Sequence, residues 1–271
     1  MAPRGCITLL TDYGLTGGFV GALHAVAQKL APGVTVVDLD HAIPAGDVRL
    51  GALRLERLVP LLPPGVHVGV VDPGVGGGRR AVALQAGEDH VFVGPDNGLL
   101  VWAAEALSPA PSLVVLDREE YFLERRSRTF DGRDVFVPVA AHLARGCSLA
   151  DVGSPADPGT LERCRRPAPR RLGEAAWELE VLQVDGFGNV QFSGDAAHVR
   201  LLGLEPGDPV VVEGGGVQLV ATFAETFSDV GRGAPVVLVD SDGQLSLALN
   251  AGRADEVLRA PLGATVVLRR P

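Results

Sequence analysis

Three clusters of charged residues stand beside turns and have the residue types to do chemistry. The first is Thr11-Asp12-Tyr13-Gly14, where a single carboxylate closes an apolar run. One Asp so placed can accept hydrogen bonds from both hydroxyls of a ribose, and it can equally cap the helix that follows. Spacing leaves both readings open. The second is Val71-Asp72-Pro73-Gly74-Val75-Gly76-Gly77-Gly78-Arg79-Arg80. It lacks the Lys-Ser/Thr ending of a phosphate loop, and Arg79 replaces the last glycine of a dinucleotide fingerprint, so as a phosphate motif it is weak. Its glycines do allow a chain reversal that lets Asp72 and Arg79 pair. A surface turn with a minor ion pair is the plainer alternative.

The third cluster is Arg128-Thr129-Phe130-Asp131-Gly132-Arg133-Asp134. Two carboxylates and two guanidiniums around one glycine suit acid/base work, or they mark a helix start capped by Asp134. Val93-Gly94-Pro95-Asp96-Asn97-Gly98 forms a further turn. From the residues alone, the structural reading is the simpler one for these last two.

The elements that must position these clusters follow from the apolar periodicity. Strand-like runs cover Cys6 to Thr11, Val34 to Leu39, Val66 to Val71, Ala81 to Leu84, His90 to Val93 and Leu113 to Leu116. Helical spacing covers Phe19 to Leu30, Asp47 to Leu61, Leu99 to Ala106 and Val135 to Ala144. Alternation of the two implies βαβ units, hence an α/β domain with a mostly parallel sheet over residues 1–154. In such a sheet ligands bind beyond the carboxyl ends of the strands, which is where the clusters fall. Pro155, Pro158, Pro167 and Pro169 then interrupt the pattern, so 155–172 reads as a proline-stiffened linker. Over 173–271 short β-type runs recur between glycine and aspartate turns: Trp177 to Val184, Asn189 to Phe192, Pro209 to Val212, Gln218 to Phe223, Pro235 to Val239, Leu245 to Leu249 and Ala264 to Leu268. That pattern predicts a small all-β domain, a barrel or a sandwich.

Composition narrows the function classes. The net charge is -9, which argues against a general nucleic-acid binder, whose affinity rests on basic residues meeting phosphates. No apolar run approaches the roughly eighteen residues of a membrane span. The first residues carry no signal-peptide core, and Cys6, Cys147 and Cys164 show no pairing pattern, so a cytoplasmic protein with reduced thiols is expected. The histidines are scattered without ligand spacing, and no metal or cofactor is expected.

Taken in order, the three clusters, Gly94-Pro95-Asp96-Asn97-Gly98, Asp185-Gly186-Phe187-Gly188-Asn189 and Ser246-Leu247-Ala248-Leu249-Asn250 resemble the S-adenosyl-L-methionine hydroxide adenosyltransferase family. Fluorinases and chlorinases are its relatives. The resemblance implies an α/β N-terminal domain, a β-barrel C-terminal domain, and a homotrimer whose sites lie at subunit interfaces. It implies that Asp12 holds the ribose hydroxyls and that Thr129 and Phe130 meet the substrate. Asp185, Phe187 and Asn189 would surround the methionine end or the sugar, with Ser241 near the amino-acid group. Phe223, Asn250 and Ala251 would face adenine. Asp72 and Arg79 match the family's catalytic Asp and Arg, whereas Asp131 stands where a His is usual. Gly17 replaces a common acidic residue, and Gly46 an aromatic ring that stacks on the ligand.

The implied reaction is attack of water or hydroxide at the ribose 5′ carbon, with methionine leaving from its sulfonium. Asp72 and Arg79 would hold the nucleophile, and Asp131 would accept a proton, provided that Arg79 or Arg133 sits between the two carboxylates. Two rivals stay in view: halide transfer, which Asp72 opposes by charge, and non-catalytic binding of the substrate or of adenosine, which the missing His suggests.

Overall fold

The computed structural model describes residues 5–124 and 127–271. The chain divides into two compact units, Met1–Arg165 and Arg166–Pro271.

In the first unit the strands are β1 (Cys6–Thr11), β2 (Thr35–Asp40), β3 (Gly65–Val70), β4 (Ala81–Ala86), β5 (His90–Pro95), β6 (Ser112–Val115) and β7 (Ser154–Ala156). Their order in the sheet is β2-β1-β3-β5-β4-β6-β7. The four strands β2, β1, β3 and β5 are parallel, and β4, β6 and β7 follow as an antiparallel edge, so the mostly parallel sheet expected is present. The helices are α1 (Phe19–Leu30), α2 (Val48–Leu58), α3 (Val101–Leu107), α4 (Val137–Ala144) and α5 (Leu149–Val152).

Side chains alternate along each strand, and that alternation splits the interior in two. Ile7, Leu9, Val66 and Val68 pack with α1 and α4 through Leu23, Ala27, Val139 and Leu143. Leu10, Val82, Leu84 and Phe92 pack with α2 and α3 through Ala52, Leu55 and Trp102. A sheet covered on both faces explains why its central strands read as near-continuous apolar runs.

One buried polar line crosses the sheet. Thr8 Oγ1 meets His67 Nδ1 at 2.9 Å, and His67 Nε2 meets His90 Nδ1 at 2.9 Å. Burial first, and then the neighbouring His90, push the His67 pKa down to about 3, so this ring is neutral. The remaining histidines have local tasks: His24 and His41 meet Asp38, His142 packs on Tyr121, and His198 bonds Asp195.

The proline-interrupted stretch is partly built into this unit. β7 pairs with β6, and Arg80 donates to the Thr160 hydroxyl and carbonyl at 3.0 and 2.7 Å. Backbone pairing needs only extended chain, which prolines at a sheet edge permit.

In the second unit the strands are β8 (Arg170–Arg171), β9 (Ala176–Val184), β10 (Val190–Asp195), β11 (Pro209–Gly214), β12 (Val217–Phe223), β13 (Pro235–Val239), β14 (Gln244–Leu249) and β15 (Thr265–Arg269). Their order is β10-β14-β13-β12-β11-β15-β9-β8, and β9 pairs back onto β10. That last pairing closes a barrel and leaves only the short β8 outside the ring. Of the two shapes left open, the barrel is the one formed. The β11–β12 hairpin turns through Gly215 and Gly216 at φ 57° and 78°, the left-handed pair that a two-residue hairpin needs. Helices α6 (Ala196–Leu201) and α7 (Ala254–Leu258) help close the barrel core with Val199, Ala254 and Leu258.

Candidate active site

The sheet order places a switch point at β1: β2 lies on one side of it and β3 on the other. Asp12 follows β1 and Asp72 lies two residues beyond β3, so both carboxylates flank the crevice where open α/β sheets take ligands. Asp12 does not cap α1, whose N-cap is Gly18 without a side-chain bond. Its Oδ2 instead accepts from the Gly46 N–H at 2.8 Å. Gly46 stands at φ 76°, a left-handed position that an aromatic residue would adopt only under strain.

The glycine-rich turn after β3 folds back as the spacing suggested. Gly76 has φ 76°, and a Cβ there would stand 2.7 Å from the Arg128 carbonyl oxygen. The reversal brings Arg79 onto Asp72: Nε donates to Oδ1 and Oδ2 at 3.1 and 2.9 Å, and Nη2 to Oδ2 at 2.5 Å. The same Nη2 donates to Asp131 Oδ2 at 2.5 Å. Arg79 is thus the cation between the two carboxylates, while Arg133 turns aside to Asp134 at 2.6 and 2.9 Å and lies over the Phe130 ring.

This is no surface ion pair. The side chains of Asp72 and Asp131 are each 4% exposed and that of Arg79 14%. Burial opposes the guanidinium's charge, but hydrogen bonds and charge from Asp72 and Asp131 outweigh it and raise its pKa above the ordinary value. The flank is apolar, with Arg79 over the Phe136 ring at 5.3 Å. Asp131 precedes a π-helical turn, Gly132–Phe136, which leads into α4, and Asp134 caps nothing in it. Single π turns of this kind concentrate at functional sites. Thr129 lies exposed, bonded to the Ser127 hydroxyl, and Phe130 packs edge-on against Tyr13.

The neighbouring turn is structural, as its residues alone suggested. Asp96 accepts from Arg80 and from the Glu162 N–H. Asn97 donates to the Val71 carbonyl at 2.8 Å, which steadies the backbone just before Asp72.

The second unit gathers other expected residues around a groove of about 1020 Å³. Asp185, Phe187, Asn189, Ser241 and Ala251 line it; Phe223 and Asn250 do not. Phe223 packs against the barrel core, and Asn250 is occupied in donating to the Val230 carbonyl at 2.7 Å. Asp185 organises its own loop, accepting from the N–H groups of Phe187 and Asn189 and from the Asn189 amide. Gly188 makes this loop possible at φ 86°. Phe187 is left 81% exposed. Sequence reading missed Phe227, half-exposed in the groove on a turn that Thr226 and Asp229 cap. The Thr-Phe-Ser-Asp spelling of that turn was the available signal. It also missed Asp240, whose carboxylate accepts from Gln191, Ser246 and the N–H groups of Asp242 and Gln244 beside Ser241.

A doubly covered α/β sheet with buried charges at its switch point, joined to a closed barrel bearing a groove, defines a two-domain protein built to hold a small molecule. Comparison with known proteins makes this specific. The model of the SAM hydroxide adenosyltransferase N-terminal domain matches residues 7–153, and that of the C-terminal domain matches residues 179–267. The chain belongs to the SAM hydroxide adenosyltransferase family. It is 47% identical to a Salinispora tropica protein named (R)-S-adenosyl-L-methionine hydrolase, over 95% of each chain. A protein of the same name from Thermus thermophilus is 40% identical over 97% of this chain and 98% of that one. A Nocardia brasiliensis fluorinase is 28% identical over 92% and 91%. Among solved structures, a Thermotoga maritima protein described as an uncharacterized conserved protein superposes with a TM-score of 0.88 at 34% identity, over 97% of this chain and all of that one.

Proposed function

We propose that this chain hydrolyses S-adenosyl-L-methionine to adenosine and L-methionine. The observation that carries the reading is the buried Asp72–Arg79–Asp131 cluster beside Asp12, in a chain that aligns end to end with proteins named as hydrolases of this substrate.

The chemistry asks little of an acid. The sulfonium already makes methionine a good leaving group, so the site must place an oxygen in line with the C5′–S bond and keep other water out. Water presents its oxygen to C5′, a C–O bond forms, and the C–S electron pair returns to sulfur. One proton leaves the attacking oxygen. Asp72 and Asp131 are the acceptors for it, and Arg79 between them holds their charge together without itself losing a proton. Asp12 takes the ribose hydroxyls, with Thr129 and Phe130 beside the substrate. The groove residues Asp185, Phe187, Asn189 and Ser241 take the methionine end or the sugar, and Phe227 and the backbone at Ala251 offer surfaces for adenine. The protein is proposed to act in the cytoplasm as a homotrimer, which sedimentation velocity checks.

Halide transfer fits this cluster poorly. A halide would face two carboxylates against one guanidinium, and like charges at close range cost several kcal/mol in a dry site, roughly. Incubation of the purified protein with S-adenosyl-L-methionine, with and without chloride or fluoride, followed by chromatography, tests the reading. Adenosine and methionine are expected in both cases. A halogenated nucleoside as the main product would overturn hydrolysis, and no product at all would leave a binding protein.

A further inference from the structure

Tyr13 is a partly buried titratable group to which nothing above gives a task. It follows Asp12 directly, and its ring is clamped by Phe130 at 5.5 Å and Phe19 at 5.9 Å, which are themselves 5.3 Å apart. Clamping fixes where the hydroxyl goes. A Cβ on Gly132 would stand 2.4 Å from the Tyr13 hydroxyl oxygen, so the hydroxyl presses on the residue next to Asp131. Only glycine leaves it room there.

The hydroxyl sits among the site's charges. Burial, then the charges of Asp12, Asp72 and Asp131, raise its pKa well above the usual tyrosine value, and Arg79 offsets only part of this. The phenol therefore keeps its proton throughout the working range. Its ring packs against Phe19, Phe130 and the core around α1 and α4, and among the described residues its hydroxyl makes no hydrogen bond. It is a neutral donor in a cluster that otherwise consists of three acceptors and one guanidinium.

Such a donor has a use in the hydrolysis proposed above. A water molecule has two O–H bonds and two lone pairs. Asp72 and Asp131 can take the O–H bonds, and one lone pair must face C5′. The other needs a donor, or the water rotates about its two remaining anchors. Nε and Nη2 of Arg79 are already given to the carboxylates, which leaves Nη1 and the clamped Tyr13 hydroxyl as the cluster's remaining side-chain donors. We propose that the Tyr13 hydroxyl donates a hydrogen bond to the attacking oxygen, fixing which lone pair points at C5′, and that Tyr13 is a further catalytic residue of this site. The tyrosine neither gains nor loses a proton; the proton released on attack goes to a carboxylate.

The inference rests on the hydrolase reading, and one experiment separates the two. Tyr13→Phe keeps the ring and its clamp and removes only the hydroxyl. Steady-state rates with S-adenosyl-L-methionine are compared with wild type, alongside adenosine affinity by calorimetry and the thermal midpoint. With a positioned donor removed, kcat should fall about 10- to 100-fold, while KM and adenosine affinity stay within roughly threefold. An equal kcat in an active wild-type background would overturn the role of Tyr13 and leave hydrolysis standing. So would a loss confined to KM and adenosine affinity, which would make the hydroxyl a sugar contact. A wild-type protein that forms no adenosine overturns both.

Discussion

The charged cluster of the first unit and the groove of the second are built on opposite plans. Asp72, Arg79 and Asp131 bond one another, are almost wholly buried, and stand on a strand end and a helix start. In the groove, Asp185 and Asp240 each spend one carboxylate oxygen on the backbone of their own loops and the other on neighbouring side chains, and the Phe187 ring is left outward. The first plan fixes charges relative to one another at the expense of stability if any one is lost. The second fixes loops, and leaves the binding surface free to change without disturbing the fold. The difference matches the tasks: reacting atoms need positions held to within a fraction of an ångström, whereas binding surfaces need area.

The largest effect should follow from breaking the first plan. Arg79→Met leaves two carboxylates facing each other with the linking cation gone. Removing one partner of a buried ionic set destabilises by about 3–5 kcal/mol, and turnover should become undetectable at the same time. Urea unfolding and single-turnover product formation check the two halves. If stability is unchanged, the cluster is not the tightly coupled unit described here.

The groove should respond in the opposite way. Phe187→Ala removes an 81% exposed ring, so the unfolding midpoint should barely move. Loss of its apolar contact with the methionine end or the sugar costs about 1–2 kcal/mol, so KM should rise roughly tenfold with kcat little changed. A kcat loss as large as the KM change would show that the groove shapes the reaction and does more than bind.

The same contrast decides what the sequence could reveal. The longer strands and helices were legible, because each face of the sheet and the barrel interior demands apolar residues at a fixed period, whereas the short α5, α6, α7, β7 and β8 were not. Pro235–Val239 and Phe19–Leu30 coincide with their elements to the residue. The Asp72–Arg79 pairing was legible because a glycine-rich turn allows the chain to double back, whereas the burial of the pair was not. That Arg79, and not Arg133, bridges to Asp131 was not legible, since both guanidiniums flank the glycine turns and only packing against Phe136 and Phe130 sorts them. The groove was partly hidden for another reason. Phe223 and Phe227 differ by four positions, and which one faces the groove depends on β12 ending at Phe223 and a capped turn lifting Phe227 outward. The segment after Ala156 reads as connector from its prolines, yet Thr160 is tied down by Arg80, a contact that spacing does not announce.

The finest test concerns Asp131, the one position in the cluster where the family's histidine is missing. At 3% exposure it is not a solvated turn residue, and its Oδ2 shares Arg79 Nη2 with Asp72. If it takes part in the proton's departure, Asp131→Ala should slow the single-turnover rate by about tenfold, within the usual range for a positioned acceptor. Adenosine affinity should hold, because the loss falls on water and not on sugar or base. Asp131→His should then recover most of the rate. A neutral imidazole can still accept from Arg79 through one nitrogen, brings no charge against Asp72, and has an unperturbed pKa of about 6.5, closer to neutral working pH than a carboxylate's. The competing account gives Asp131 only the task of balancing Arg79. Under it, Ala and His both remove the negative charge, so the two variants should lose stability alike while their rates stay within about twofold of wild type, under 0.5 kcal/mol in the barrier. The two accounts therefore part on the ratio of the His rate to the Ala rate: near tenfold for an acceptor, near one for a counter-charge.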